Sequence, residues 1–176
     1  MDSVCEQILR AFRVVRDSFR VPLEGISTAH LNYAPSERKM SVGQIALHCA
    51  GAERYFMNRQ PVFERTERTY VPTEYPIRRA FVFEQIDLAE RDIETVLAAA
   101  SDDDLARPRR FYGDREVKLG YILMRLMTHE LYHMGQMAYM RSWLDDDWHF
   151  DGFWGKAASA IIAVPYAITE ETAPGF

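Results

Sequence analysis

Residues 118–144 read KLGYILMRLMTHELYHMGQMAYMRSWL, a stretch without proline that is apolar nearly all round. Its periodicity predicts a helix from about Lys118 to Leu144. A helix lying on a protein surface shows a polar face. This one shows almost none, so it must bury one face in a core and a second against the C-terminal tail or another subunit. Three more helical segments precede it. The first runs from about Val4 to Phe19, with Ile8, Phe12, Val15 and Phe19 at helical spacing and Arg10, Arg13 and Asp17 opposite, and it ends before Pro22. The second begins at Ser41, where SVGQ pairs a serine cap with Gln44 in a capping box, and continues to about Arg59. The third covers about Ile77 to Ala100, with Phe81, Leu88, Val96 and Leu97 marking its buried stripe.

Between the third and fourth helices, RRFYGDREV suggests a turn or small hairpin at Gly113 and Asp114. Beyond Leu144 only a short helix near Lys156 to Ile162 is suggested. With no alternating strand and no repeat, the fold class is all-α, an antiparallel four-helix bundle. A chain of 176 residues fits one domain over 1–176, with the bundle at about 4–144 and a partly irregular tail at 145–176.

The formal net charge of -5 offers no general attraction to nucleic acid or anionic membranes, so neither is expected as a partner. The first residues, MDSVCEQILRAFRVVRDSF, carry charges along their length and read as an amphipathic helix and not as a signal peptide. The longest apolar run, 157–164 with one serine, is far short of the roughly 20 residues of a membrane span. Two cysteines, Cys5 and Cys49, cannot build a disulfide framework and fit a reducing, cytoplasmic setting.

Within the fourth helix, positions four apart differ by roughly 40° in direction, so His129 and His133 share one stripe with Ile122, Leu126, Gln136 and Met140. Leu131, Met134 and Ala138 lie on the far side. Polar groups among apolar neighbours need partners to offset lost water. Hydrogen bonds to neighbouring helices are one solution and a metal ion is another. His48, on the mostly apolar second helix and in line with Gln44 and Tyr55, is a candidate third donor. Three neutral imidazoles suit Zn, Ni, Fe or Mn and leave coordination positions open, which is a catalytic geometry. His30 and His149 do not share this register and read as ordinary surface or tail residues. Glu53, Tyr55, Glu130 and Arg125 are candidates for contacts around the site or with substrate. Cys49 points about 100° away from His48 and reads as a small core residue.

His129–Glu130–Leu131–Tyr132–His133 also spells HExxH, the string of zinc proteases. The extended metzincin form needs glycine at position 136 and histidine at 139, where this chain has Gln136 and Tyr139. The downstream carboxylates, Glu170 and Glu171, sit in a proline-bounded tail, and no strand edge stands out to hold an extended peptide. A protease is the weaker reading.

The capped MSVGQIALH, followed by THELYHMGQ, resembles the DinB/YfiT-like metalloenzyme superfamily, and the resemblance spans most of the chain to Leu144. It implies a metal-binding four-helix bundle, commonly a homodimer. His48, His129 and His133 would hold a divalent metal, and Gln136 after Gly135 matches a glutamine of the family. Members that look like this include thiol S-transferases and an isomerase that uses low-molecular-weight thiols. The function expected is therefore a metal-dependent enzyme acting on a small-molecule substrate, as a transferase or hydrolase, with a metal-activated thiol or water. The alternative is a non-catalytic metal-binding or assembly protein.

Overall fold

The computed structural model describes residues 3–57, 75–111 and 115–150. Four long helices form the body: α1 (Val4–Arg20), α3 (Val42–Met57), α4 (Arg79–Ala99) and α6 (Leu119–Leu144). Two short ones, α2 (Thr28–Asn32) and α5 (Asp102–Leu105), lie in the connections. Strands β1 (Pro108–Arg110) and β2 (Glu116–Lys118) pair antiparallel, with Arg109 opposite Val117. This antiparallel pair flanks the expected turn, whose Gly113 and Asp114 lie outside the described residues, and the described residues are otherwise all-α. The expected end of the second helix at Arg59, the short helix at 156–162, and Glu170 and Glu171 fall outside the described residues.

Local chemistry accounts for the helix starts. Ser3 and Glu6 close a capping box on α1, the backbone N–H of Glu6 reaching Ser3 Oγ at 3.2 Å and that of Ser3 reaching Glu6 Oε2 at 2.8 Å. Asp102 adds a second cap, accepting from the N–H groups of Val4 and Cys5 at 3.0 and 3.1 Å. The Ser41–Gln44 box stands as the sequence suggested: the Ser41 N–H donates to Gln44 Oε1 at 2.8 Å and the Gln44 N–H to Ser41 Oγ at 3.3 Å. The acidic run at 101–104 does more than stop α4, because Ser101 and Asp104 cap α5 in the same manner.

Each long helix packs on two others, in the order α1, α4, α3, α6 and back to α1. Arg13 pairs with Glu94 and Arg20 with Asp87, so α1 and α4 run antiparallel. On the opposite side of the bundle, His48 of α3 meets His129 of α6, while Phe56 at the end of α3 stacks on Phe111, which touches Tyr121 at the start of α6. That pair is antiparallel too. The antiparallel expectation does not extend to the remaining contacts. Gly43 lies against Ile77 and Arg54 against Asp92, which makes α3 and α4 parallel. Arg16 faces Glu130 and Arg141 reaches back to Pro22, which makes α1 and α6 parallel. Of the three connections between long helices, only that from α3 to α4 has to bring the chain back to the other end of the bundle, since α1 to α3 and α4 to α6 each join helices of opposite direction.

The core is continuous through all four long helices and includes Ile8, Phe12, Val15, Phe19, Val42, Ile45, Ile86, Ile93, Ile122 and Leu126. On α4 the buried stripe is Val82, Ile86, Ala89, Ile93, Val96 and Leu97, whereas Phe81 and Leu88 are only half-buried. Those two sit a step out of phase with the stripe. Gly43 sits at a close approach, since a Cβ there would come within 3.2 Å of the Leu31 carbonyl oxygen on α2 and 3.1 Å of Ile77 Cγ2, and those neighbours would have to shift to admit it. Among the described residues, no helix is long and apolar enough to cross a membrane.

Candidate metal centre

The antiparallel contact between α3 and α6 brings three imidazoles together. His129 Nε2 is 3.2 Å from His48 Nε2 and 3.1 Å from His133 Nε2. The rings meet edge to face, with centroids 5.0 Å apart for His48–His129 and 4.5 Å for His129–His133. The cluster is graded in depth: His133 is buried, His129 half-buried and His48 exposed. It therefore opens to solvent on the α3 side.

The protonation state is set by these surroundings. Burial lowers His129 from 6.5 to about 4, and the neighbouring His133, His48 and Arg125 add to the fall. Burial likewise lowers His48 and His133. All three imidazoles are thus neutral at pH 7, the form in which each has a lone pair to give. His133 Nδ1 lies 2.7 Å from Gln136 Oε1. A carbonyl oxygen only accepts, so the His133 proton sits on Nδ1 and Nε2 presents its lone pair to the cluster.

That tautomer creates a conflict which tests whether the residues suit a metal. One proton on His129 Nε2 can lie along the contact to His133 or along that to His48, but not squarely along both. A cation accepts all three lone pairs at once. Ligand nitrogens bonded at 2.0–2.1 Å would be about 3.3 Å apart around a tetrahedral ion and about 2.9 Å apart around an octahedral one. The observed 3.1 and 3.2 Å lie between these values, and the ligand nitrogens of all three rings, the His48–His133 pair included, lie within 4.8 Å of one another. The donor set fits a divalent ion of the zinc, nickel, iron or manganese kind. His129 Nδ1 is buried without a partner among the described residues, so Gln136 supports one of the three rings and not this one.

Other residues singled out from sequence go elsewhere. Glu130 faces away from the imidazoles into a buried ion cluster, its Oε1 3.1 Å from Arg16 Nη1, although off the hydrogen-bonding direction. Arg16 Nη2 donates to Glu53 Oε2. The side chains of Arg16, Glu53 and Glu130 are 2%, 0% and 0% exposed. Burial pushes Glu130 well above the usual carboxylate value; Arg16 pulls against the rise and Glu53 adds to it. One retained proton makes the trio neutral. The cluster ties α1, α3 and α6 together directly beside His129. Sequence reasoning missed Arg16, yet its position is readable: it falls four residues after Phe12 and three before Phe19, on the apolar stripe of α1.

Tyr55 packs its ring edge-on against Phe56, two turns and about 10 Å along α3 from His48. Arg125 is exposed, one turn before His129, and acts on both His129 and His133 through its charge. His149 is exposed and His30 half-buried at the end of α2, both apart from the cluster. Cys49 is buried, and its thiol is pushed well above its ordinary value of 9.0 by burial, with Glu130 and Glu53 adding to the effect. It is a core residue, as expected.

The family model described as the DinB superfamily matches residues 11–137. A crystal structure of a DinB-like protein from Bacillus cereus superposes with a TM-score of 0.65 at 18% identity, covering 78% of this chain and 90% of that one. A DinB-like protein from Bacillus subtilis, YjoA, superposes with a TM-score of 0.61 at 23% identity, covering 81% and 95%. At these identities the likeness is one of fold. No curated protein matches the sequence significantly.

Proposed function

The chain belongs to the DinB superfamily, and on that premise we propose that it is a divalent-metal-dependent enzyme acting on a small molecule, with thiol S-transfer as the favoured reaction. The observation that carries the reading is the convergence of His48, His129 and His133 Nε2, at 3.1 and 3.2 Å, on a point open to solvent at His48. Three protein ligands leave room for water or substrate, which is the catalytic pattern and not the closed structural one.

A metal held there supplies a lowered pKa to a bound thiol or water and polarises the group under attack. The chain's own residues do the rest. His133 is held by Gln136 with its lone pair inward, His48 forms the exposed lip, and His129 bridges the two. Neither cysteine offers a nucleophile: Cys49 is buried and protonated, and burial beside Asp102 raises Cys5 to about 11. A reaction that uses sulfur would draw it from a low-molecular-weight thiol co-substrate. The protease alternative loses support from Glu130. The glutamate that would serve as general base in HExxH is enclosed with Arg16 and Glu53.

Competition titration of protein purified without an affinity tag tests this reading. Wild type is expected to bind about one Zn2+ or Ni2+ per chain, His129→Ala to lose that binding, and the loaded protein to accelerate attack of a simple thiol on an electrophile. Equal affinity in wild type and His129→Ala would remove the metal centre. Tight binding with no thiol or hydrolytic turnover, together with a fourth protein ligand, would favour the non-catalytic metal-binding alternative.

A further inference from the structure

Resting on the metal reading above, we infer that Tyr132 is a positioning residue for this centre: its hydroxyl anchors the Gln136 amide, and through that amide it holds His133 with Nε2 turned towards the other imidazoles. Three side chains form the chain of contacts. His133 Nδ1 meets Gln136 Oε1 at 2.7 Å, and Gln136 Nε2 donates to Tyr132 Oη at 2.9 Å. The Tyr132 ring also lies edge-on to His133, with centroids 5.0 Å apart and planes at 73°. Tyr132 thus touches both members of the pair that it organises.

All three residues lie on α6, at spacings of three and four, so helix geometry alone makes them neighbours. The direction of the chain follows from counting protons. With the His133 lone pair inward at Nε2, its proton is at Nδ1 and must be accepted by the amide oxygen. The amide nitrogen is then left pointing outward, and the Tyr132 oxygen accepts from it. Turning the amide over would set an N–H against Nδ1, move the imidazole proton to Nε2 and place a donor where a cation needs a lone pair. A phenol can also donate, so Tyr132 does not choose the orientation alone. It keeps the amide within reach, and the demand for a lone pair selects the direction.

Burial does not explain an aromatic residue here. Tyr132 is 61% exposed, and Gln136 is half-buried and would otherwise be free to turn its amide to water. An exposed hydrogen bond competes with solvent and has a modest net worth, so the effect of Tyr132 on metal binding is smaller than that of Gln136 itself.

The test uses the full chain without a tag, as wild type, Tyr132→Phe, Tyr132→Ala and Gln136→Ala. Two quantities are measured: the His133 tautomer in metal-free protein by nitrogen-15 NMR at about pH 8, where the imidazoles are neutral, and Zn2+ affinity by chelator competition. Wild type is expected to carry its His133 proton on Nδ1. Tyr132→Phe should mix the tautomers and weaken Zn2+ binding by about three- to tenfold. Tyr132→Ala should lose at least as much, and Gln136→Ala about 10–100-fold. The melting temperature of the metal-free variants should not move. The inference is overturned by a Tyr132→Phe protein that keeps both the wild-type tautomer and, within about twofold, the wild-type affinity. It is equally overturned by losses that merely track a fall in melting temperature. A wild type that binds no Zn2+ would defeat the metal reading alone, and the tautomer comparison would still decide the role of Tyr132.

Discussion

Replacing Arg16 by Met removes the cation from the buried cluster while nearly keeping its volume. Glu53 and Glu130 would remain, both with fully buried side chains and no counter-charge beside them. Breaking a buried ion group by deleting one partner costs about 3–5 kcal/mol, because the charge left behind has no compensation. Against a total of about 5–15 kcal/mol for an ordinary domain this is severe. For a chain of this length it corresponds to a melting temperature lower by roughly 6–20 °C. Urea unfolding of metal-free protein at pH 7 measures it. The pH dependence supplies a second, sharper check. Burial raises both Glu53 and Glu130 above the ordinary value of 4.5, so the folded state retains protons that the unfolded chain gives up, and stability falls as pH rises above 4.5. Removing the Arg16 charge takes away what holds both carboxyls down, so the folded variant retains more protons than wild type and the deficit of Arg16→Met should shrink as pH falls from 7 towards 5. Converting all three residues to Met, Leu and Leu should recover most of the loss, since an apolar set needs no compensation. A deficit under about 1 kcal/mol, or one that does not change with pH, would refute this reasoning.

Other outcomes are expected from the same structure. His129 is lowered from 6.5 to about 4, so its protonation favours the unfolded chain, and its contribution is complete above pH 6.5 and lost as pH falls towards 4. The stability difference between metal-free wild type and His129→Gln should move in that direction across that window; a constant difference would contradict the shift. A Cβ at Gly135 would meet nothing within 4 Å, and the residue is exposed in mid-helix, so Gly135→Ala should stabilise by roughly 0.5–1 kcal/mol in thermal or urea unfolding. Destabilisation there would show that the face is covered. We also propose a homodimer, because α6 presents Tyr139 and Trp143 at 74% and 64% exposure; sedimentation equilibrium at micromolar concentration should give twice the chain mass, and a monomer would contradict it.

The parts of this molecule that were legible in the sequence are those set by local spacing. The His129–His133 pair and Gln136 share a stripe because a helix repeats every 3.6 residues, and the Ser41–Gln44 box announces the helix that carries His48. Relations between distant segments were less visible. The parallel direction of α1 and α6 is set by the path of the connections, which have no periodicity to read. On α4, Val96 and Leu97 lie on the buried stripe as their spacing suggests, but Phe81 and Leu88 are half-buried at its edge, because Val82, Ile86, Ala89 and Ile93 set the phase that faces the core. Glu130 was readable as a polar group beside a histidine, but its partner Arg16 lies more than a hundred residues away and only the assembled bundle brings them together. The short α2 and α5 each carry a serine cap, Ser27 and Ser101, so their starts were written in the chain although their lengths fell below what periodicity can detect.

The most direct measurement is an anomalous diffraction map from crystals of tag-free protein, collected across the absorption edges of zinc, nickel, iron and manganese. A single strong peak is expected about 2.0–2.2 Å from Nε2 of His48, His129 and His133, with at least one coordination position turned to solvent. A map without a peak at that point, or with the ion bound by other residues while the three rings stand apart, would contradict the metal centre on which the proposed chemistry rests.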